Sequence, residues 1–321
     1  MNKPSPDIPI SIVIAAYNQA PFIAACLESI FNQTHTNHEI IVINDGSTDA
    51  TADILSGYDG RIKIISQENR GRSAARNRGF MAASHDWIAL LDADDLWDPE
   101  KLAKQVAALN KYPEIDFIAT NTIWFNDQGP IKENFFKTMI RLHRIPARID
   151  GTLKIFDGNI YPVLLEENFI ITSSVLMRRD RLSEVGYFDE SFPRCEDRDL
   201  WLRLAPYYRF AIIDEILTRN RYTEIPGENK SEVSLQSRIT LFEKVLADPV
   251  GQDKYHRKIA YRQLCKSHYE LGYFHFARYD FTRARRELLK SFSRSFHSAP
   301  QFFYCFLTFP VSYTHLTLPT N

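Results

Sequence analysis

Apolar positions in the first 110 residues switch between two periods, short unbroken runs and helical stripes. Ile8 to Ala15 is a short, nearly all-apolar β-branched run, the pattern of a strand buried on both faces in a parallel sheet. Pro21 is then expected at a helix N1 position, followed by Ile23, Cys26, Leu27, Ile30 and Phe31 on one helical face. Ile40 to Ile43 predicts a second strand, and Asp45 to Asp49 a turn and cap leading into a short helix ending near Leu55. Ile62–Ile65 and Trp87–Leu91 predict two more strands, with a helix over Ser73–Ala83 between them. Asp98 and Pro99 are expected as N-cap and N1 of the next helix. Strands alternating with helices imply βαβ units and an α/β fold built on a mostly parallel sheet.

Beyond residue 112 the pattern is mixed. Phe117–Thr120, Ile170–Ile171 and Ala211–Ile213 predict strands, and Asp197–Leu204 a helix with Leu200, Trp201 and Leu204 on one face. From about 232 to 298 the chain reads as helices only. Ala260, Leu264, Tyr269, Leu271, Gly272, Phe276, Ala277, Ala284, Leu288 and Phe292 are spaced like one loose tetratricopeptide-like hairpin; a plain helical appendage fits the same pattern. The expected organisation is a catalytic domain over 1–228, a helical region over 229–300 and an apolar tail over 301–321. The last eleven residues, 311–321, resemble translated sequencing-adapter DNA and are read as non-native, with the native C-terminus lying further on.

Composition narrows the classes. With 44% hydrophobic and 25% charged residues and a net charge of -1, the 321-residue chain is neither disordered nor a general nucleic-acid binder. The charge is unevenly placed. Residues 257–294 hold 10 Lys+Arg against 3 Asp+Glu, and the preceding 256 residues are net acidic. This basic segment precedes an aromatic run over 302–309, a combination suited to peripheral contact with an anionic membrane. Cys26, Cys195, Cys265 and Cys305 form no CxxC pair and are read as reduced thiols, which points to the cytoplasm. No signal-peptide core and no run of about 18 apolar residues is present.

In an open parallel sheet, ligands bind at the carboxyl ends of the strands. Those ends carry Ala16-Tyr17-Asn18, then Asn44-Asp45-Gly46-Ser47, then the basic stretch Gln67 to Arg72, then Asp92-Ala93-Asp94-Asp95. A base can stack on Tyr17 while Asp45 accepts from its N–H. Arg72 or Arg76 can approach a diphosphate. Three carboxylates in four residues repel one another unless solvated or bound to a hard divalent cation. A nucleotidyltransferase would carry a Gly-rich basic loop after the first strand, and a dinucleotide-binding dehydrogenase a G-x-G-x-x-G there, but no glycine precedes Gly46. A phosphoacceptor receiver domain would place its Asp residues after the first strand rather than the fourth.

Six stretches together resemble the family-2 inverting glycosyltransferases of the GT-A fold: Ile12–Asn18, Asn44–Asp49, Asn69–Gly79, Leu91–Trp97, Val185–Glu190 and Glu196–Leu204. The resemblance covers about residues 8–225, with Asn44 standing where Asp is usual. It implies a nucleotide-diphosphate sugar donor, a glycan or lipid-linked hydroxyl acceptor and a Mg2+ or Mn2+ cofactor. Ala16, Tyr17, Asn18 and Asp45 would line the base pocket, with Arg72 and Arg76 near the pyrophosphate. Asp92, Ala93 and Asp94 form the DxD-type motif near ribose and metal, with Asp95 adjacent. Of the acidic pair Glu196-Asp197, Asp197 would be the general base. The competing expectation is a catalytically inactive scaffold of the same fold whose helical rear binds protein partners.

Overall fold

Ile10–Ala16 forms the first strand (β1), with Ile12, Val13 and Ile14 all fully buried, so both faces of the sheet are covered here. The computed structural model describes residues 7–132, 134–157, 159–222, 231–250 and 253–294. The first half follows as α1 (Ile23–Phe31), β2 (His38–Asp45), α2 (Thr51–Ser56), β3 (Lys63–Gln67), α3 (Arg72–Ala82), β4 (Trp87–Asp92), β5 (Leu96–Trp97) and α4 (Lys101–Lys111). Next come β6 (Phe117–Asn126), β7 (Gly129–Lys132), β8 (Ala147–Asp150), β9 (Leu153–Phe156), α5 (Tyr161–Leu164), β10 (Leu176–Arg178), α6 (Arg179–Val185), α7 (Glu196–Leu204) and β11 (Phe210–Arg221). The sheet order is β3-β2-β1-β4-β10-β6-β11-β9-β8, with β5 paired to β11 and β7 to β6. Strands β3, β2, β1 and β4 run parallel, as do β6 and β11, while β10 is inserted antiparallel between β4 and β6.

Register decides which chemistry meets. Ala16 pairs with Asn44, Ala15 with Asp92, and Asp45 with Gln67. Four parallel strands therefore end level, and their loops open on one edge. One face of the sheet is covered by α1, α2 and α4, whose Leu27, Ile30, Leu55, Leu102 and Val106 share a core with Ile10, Ile12 and Ile14. On the other face α3 packs on β1 and β2. A methyl group at Gly79 would lie 2.2 Å from Val13 Cγ1, so this helix can approach the strand only because position 79 has no side chain.

Three local expectations are corrected. Pro21 lies in a turn before the Phe22 N-cap rather than at N1, because Ile23 N bonds to Gln19 O and the chain first tightens around that carbonyl. Asp98 likewise opens a turn: its Oδ1 accepts from Glu100 N at 3.1 Å, and α4 begins at Lys101. Ile170–Ile171 is not a strand. The chain there passes into a short 3-10 turn at Thr172–Ser174, and only Leu176–Arg178 joins the sheet. Ile170 is buried by packing alone, so a two-residue apolar run reported burial and not a ladder.

The chain divides into two compact units, Met1–Ile225 and Pro226–Asn321. In the second, α8 (Glu232–Ala247), α9 (Lys254–Phe276) and α10 (Phe281–Arg294) pack in succession. Asp253 caps α9 by accepting from Tyr255 N and His256 N. His268 Nδ1 meets Glu287 Oε2 at 2.8 Å, Ser291 Oγ donates to Cys265 O, and Gly272 abuts Leu288, so α9 and α10 form an antiparallel hairpin. The aromatic run over 302–309, Cys305 and the tail 311–321 lie outside the described residues. Cys26, Cys195 and Cys265 form no disulfides, and no helix among the described residues is long and apolar enough to cross a membrane.

Candidate active site

The loop after β1 is pinned to the loop after β2. Asn18, at φ +52, presents Oδ1 to Thr48 N at 2.8 Å and donates its own N–H to Ser47 Oγ at 3.1 Å. Asn is among the few non-glycine residues suited to this left-handed backbone. Ala20 N is held by Asp49 Oδ2 at 3.1 Å and Gln19 N by Thr51 Oγ1 at 2.8 Å. Ala16 is buried beneath, while Tyr17 remains 45% exposed just past the strand end. Asp45 is turned inward. Its oxygens accept from Gln67 Nε2 at 2.7 Å and from Arg70 N and Gly71 N at 2.9 Å each, so it builds the loop leading into α3. Gly46, at φ +73, lies under Asn69 N, where a Cβ would come within 2.7 Å.

Arg76 is the hub of the site. It is 3% exposed and donates to Asp92 Oδ1 at 2.5 Å and to Glu196 Oε1 at 2.9 Å, joining segments 120 residues apart. Burial opposes its charge, but the two carboxylates raise its pKa further and keep it cationic. It sits below the surface with its guanidinium committed to these carboxylates. Arg72, whose side chain is 47% exposed and lies 3.8 Å from Glu196, is the more accessible of the two cations.

The carboxylate cluster divides by direction. Asp95 N bonds to Asp92 O, closing a tight turn that points neighbouring side chains apart. Asp95 is fully buried and accepts from Ser173 Oγ, from Asn220 Nδ2 at 2.7 Å and from Arg221 N at 2.7 Å. It therefore ties the end of β4 to Ser173 and to β11. Asp92 and Asp94 stay partly exposed, flanking the buried Ala93. Burial and the adjacent Asp92 charge push the Asp94 carboxyl up to about 6. Among the described residues no group of three or more His, Cys, Asp and Glu side chains is arranged to hold a metal ion.

Helix α7 brings the second acidic motif. Cys195 precedes it in the left-handed region at φ +66, and Glu196, Asp197 and Asp199 fill its first turn. Trp201 is buried against Phe117 and Phe188 in edge-on contacts, and Arg203 donates to the carbonyls of Val185, Gly186 and Tyr187. Asn77 of α3 completes the brace, exchanging bonds of 2.9 Å with the Phe188 backbone. Glu196 is buried and paired with Arg76, whereas Asp197 keeps partial exposure. Burial and the Glu196 charge push the Asp197 carboxyl up to about 6. Asn168 Nδ2 donates to Asp197 Oδ2 at 3.2 Å, and Arg198 N to Oδ1 at 2.7 Å.

Sequence reasoning missed Asn77, Asn168, Ser173 and Arg221. Asn77 lies inside a stretch already singled out, but its partner is 111 residues away. Ser173 links Asp95 to the Asp92 N–H, and Arg221 donates through Nε to Asp94 O at 3.2 Å; neither sits in a patterned segment.

Residues 11–181 match the sequence profile of glycosyl transferase family 2. EpsH of Bacillus subtilis, named as a glycosyltransferase, is 36% identical over 158 residues, covering 47% of this chain and 45% of EpsH. An uncharacterised glycosyltransferase of Rickettsia felis is 30% identical over 226 residues, 69% of this chain and 35% of that protein. The matches thus span less than half the length of these two relatives. Among solved structures, S. aureus TarS in complex with UDP-GlcNAc aligns with a TM-score of 0.62 at 16% identity, over 89% of this chain and 81% of that one. A Pyrobaculum calidifontis mannosyltransferase with GDP-Man and Mn2+ aligns with a TM-score of 0.55 at 17% identity, over 92% and 77%. At such identities the alignments speak for the shared GT-A fold. With the profile matched from the first strand past the tenth, the chain belongs to glycosyl transferase family 2.

Proposed function

We propose that this chain is an inverting glycosyltransferase that moves a sugar from a nucleotide-diphosphate donor to a hydroxyl of a glycan or lipid-linked acceptor. The observation that carries the reading is the Arg76 bridge between Asp92 and Glu196, which sets a carboxylate pair at the strand edge beside a second acidic motif. Donors named in the aligned structures, UDP-GlcNAc and GDP-Man, give the class without choosing the member. Ala16, Tyr17 and Asn18 form the base wall, Asp45 shapes it through the Arg70–Gly71 backbone, and Arg72 reaches the diphosphate.

Asp92 and Asp94 fit a Mg2+ or Mn2+ ion: two hard oxygen donors at a partly exposed edge, one of them pushed up by burial and then by the other's charge, are what a divalent cation relieves. When bound, it would supply charge neutralisation for the leaving diphosphate. The remaining chemistry belongs to the chain. Arg76 holds Asp92 and Glu196 in place. Asp197, on a separate helix, takes the proton of the acceptor hydroxyl as that oxygen attacks the anomeric carbon. The reading extends to a cytoplasmic, peripheral position on an anionic membrane face, supported by the basic balance of 257–294.

A thermal-shift panel of UDP- and GDP-sugars with and without Mn2+ tests the donor class. A cognate donor at about 100 times its Kd is expected to stabilise the fold by about 2.7 kcal/mol. NMR of the product should then show inversion at the anomeric carbon. No protection by any nucleotide sugar would leave the inactive-scaffold alternative standing.

A further inference from the structure

The 3-10 turn Thr172–Ser174 is buried and reaches the Asp92–Asp95 turn through one hydroxyl. Ser173 Oγ accepts from Asp92 N at 3.0 Å and donates to Asp95 Oδ2. A hydroxyl has one hydrogen to give and lone pairs to receive, so it is engaged in both senses, at the two ends of one turn. Within that turn Asp95 N bonds to Asp92 O at 3.0 Å, and Asp94 lies inside the segment so closed. The 3-10 turn is itself fixed by β5 and α4. Trp97 Nε1 donates to Ser173 O at 2.7 Å, and Gln105 Nε2 donates to Ser174 O at 3.1 Å and to Ile118 O at 3.2 Å. Gln105 Oε1 accepts from the buried Lys101 Nζ at 3.0 Å. From β11, Asn220 Nδ2 donates to the same Asp95 oxygen as Ser173 at 2.7 Å, and Arg221 N to the other at 2.7 Å.

On the reading of Asp92 and Asp94 as ligands of a divalent cation, we infer that Ser173 is a positioning residue for that pair. Its hydroxyl fixes the turn that carries both carboxylates, with Asn220 as the second side-chain donor on Asp95. Hard divalent cations take oxygen ligands within narrow distances, Mg2+ most strictly, so the affinity of a two-carboxylate site depends on where the backbone holds its oxygens. Groups that orient metal ligands without touching the metal are typically worth about 10–100-fold in metal affinity. Ser174 supplies the contrast. It is buried in the same turn, but its Oγ donates to Ile171 O at 2.7 Å, within its own segment.

Calorimetry on the full chain tests the inference without turnover, by following the affinity for UDP or GDP, whichever binds more tightly, as Mn2+ is raised. Ser173→Ala should increase the Mn2+ concentration at half-maximal enhancement by about 10–100-fold, with nucleotide affinity in EDTA unchanged. Ser174→Ala should keep the wild-type Mn2+ requirement, although it too removes a buried hydroxyl. Asn220→Ala, at a half-buried position, should shift the requirement in the same direction by about tenfold, and it carries the test if Ser173→Ala does not fold. A wild-type Mn2+ requirement in Ser173→Ala, or in Asn220→Ala where that variant alone folds, would overturn the inference. So would equal shifts in Ser173→Ala and Ser174→Ala, which would mark a general loosening of the turn. Failure of the underlying reading looks different: the wild type would show no Mn2+ dependence, or Asp94→Ala would retain it, and the role of Ser173 would fall with that reading.

Discussion

At the residue scale, the site depends on how few groups hold its charges in place. Arg76 is the sole cation hydrogen-bonded to both Asp92 and Glu196 among the described residues, and its side chain and that of Glu196 are 4% and 5% exposed. Removing one partner of a buried pair leaves an uncompensated charge and costs about 3–5 kcal/mol. Arg76→Met should therefore lower stability in urea by about that amount, and Arg76→Met combined with Glu196→Gln should recover part of the loss. Additive losses would mean that the two groups are not coupled. Asp197 has a pH signature of its own. Burial and Glu196 raise it to about 6, and the base must be ionised to accept a proton, so turnover should climb as pH rises through about 6. A rate flat from pH 5 to 8 would not fit a base of that pKa.

At the element scale, α3 and the α9–α10 hairpin make separate predictions. Helix α3 carries Arg72, Arg76 and Asn77 to the site and lies close on β1 through Gly79, so Gly79→Ala should cost about 1–3 kcal/mol through overpacking against Val13. Thermal unfolding measures this, and an unchanged Tm would show that the helix can shift without loss. In the hairpin, burial tends to push the Glu287 carboxyl up, but His268, Lys290 and Arg286 outweigh it and hold the pKa down to about 2. A carboxylate with a depressed folded pKa stabilises fully above its unfolded value and loses that contribution as pH falls. The stability gap between wild type and Glu287→Gln should thus be largest near neutrality and close as pH drops from about 4.5 towards 2. A gap that stays constant would remove the ion pair from the account. The same hairpin bears the basic excess proposed to meet anionic lipid, at roughly 1 kcal/mol per basic residue near the surface. Flotation should recover the chain with anionic vesicles and not with neutral ones, and equal recovery would dismiss the contact.

At the scale of the whole molecule, the four parallel βα units and their loops were legible because short apolar runs such as Ile10–Ala16 and Trp87–Leu91 alternate with segments of helical period. The level ending of those strands follows from the parallel order, so Ala16, Asp45 and Asp92 could be grouped in advance. What could not be read was direction and distance. Asp95 is adjacent to Asp94 in the chain, yet a turn sends it inward to Asn220, 125 residues on. Arg76 and Glu196 are each legible as members of motifs, but their pairing across 120 residues is not. For the metal role proposed for Asp92 and Asp94, Asp94→Ala should abolish the Mn2+ dependence of UDP binding with the fold intact, and calorimetry with the same dependence retained would refute it.

Asp197 is proposed as the base of a transfer reaction whose donor is held elsewhere, on the β1–β4 edge. The most direct measurement is the turnover of Asp197→Asn beside its donor affinity, with the nucleotide sugar identified by thermal protection. The substitution keeps size and polarity but cannot accept the proton. A loss of about 10²–10⁴-fold in rate is expected, the usual range for a general base, with donor Kd within error of the wild type. Near-wild-type turnover, or a loss of donor binding large enough to explain the lost rate, would contradict it.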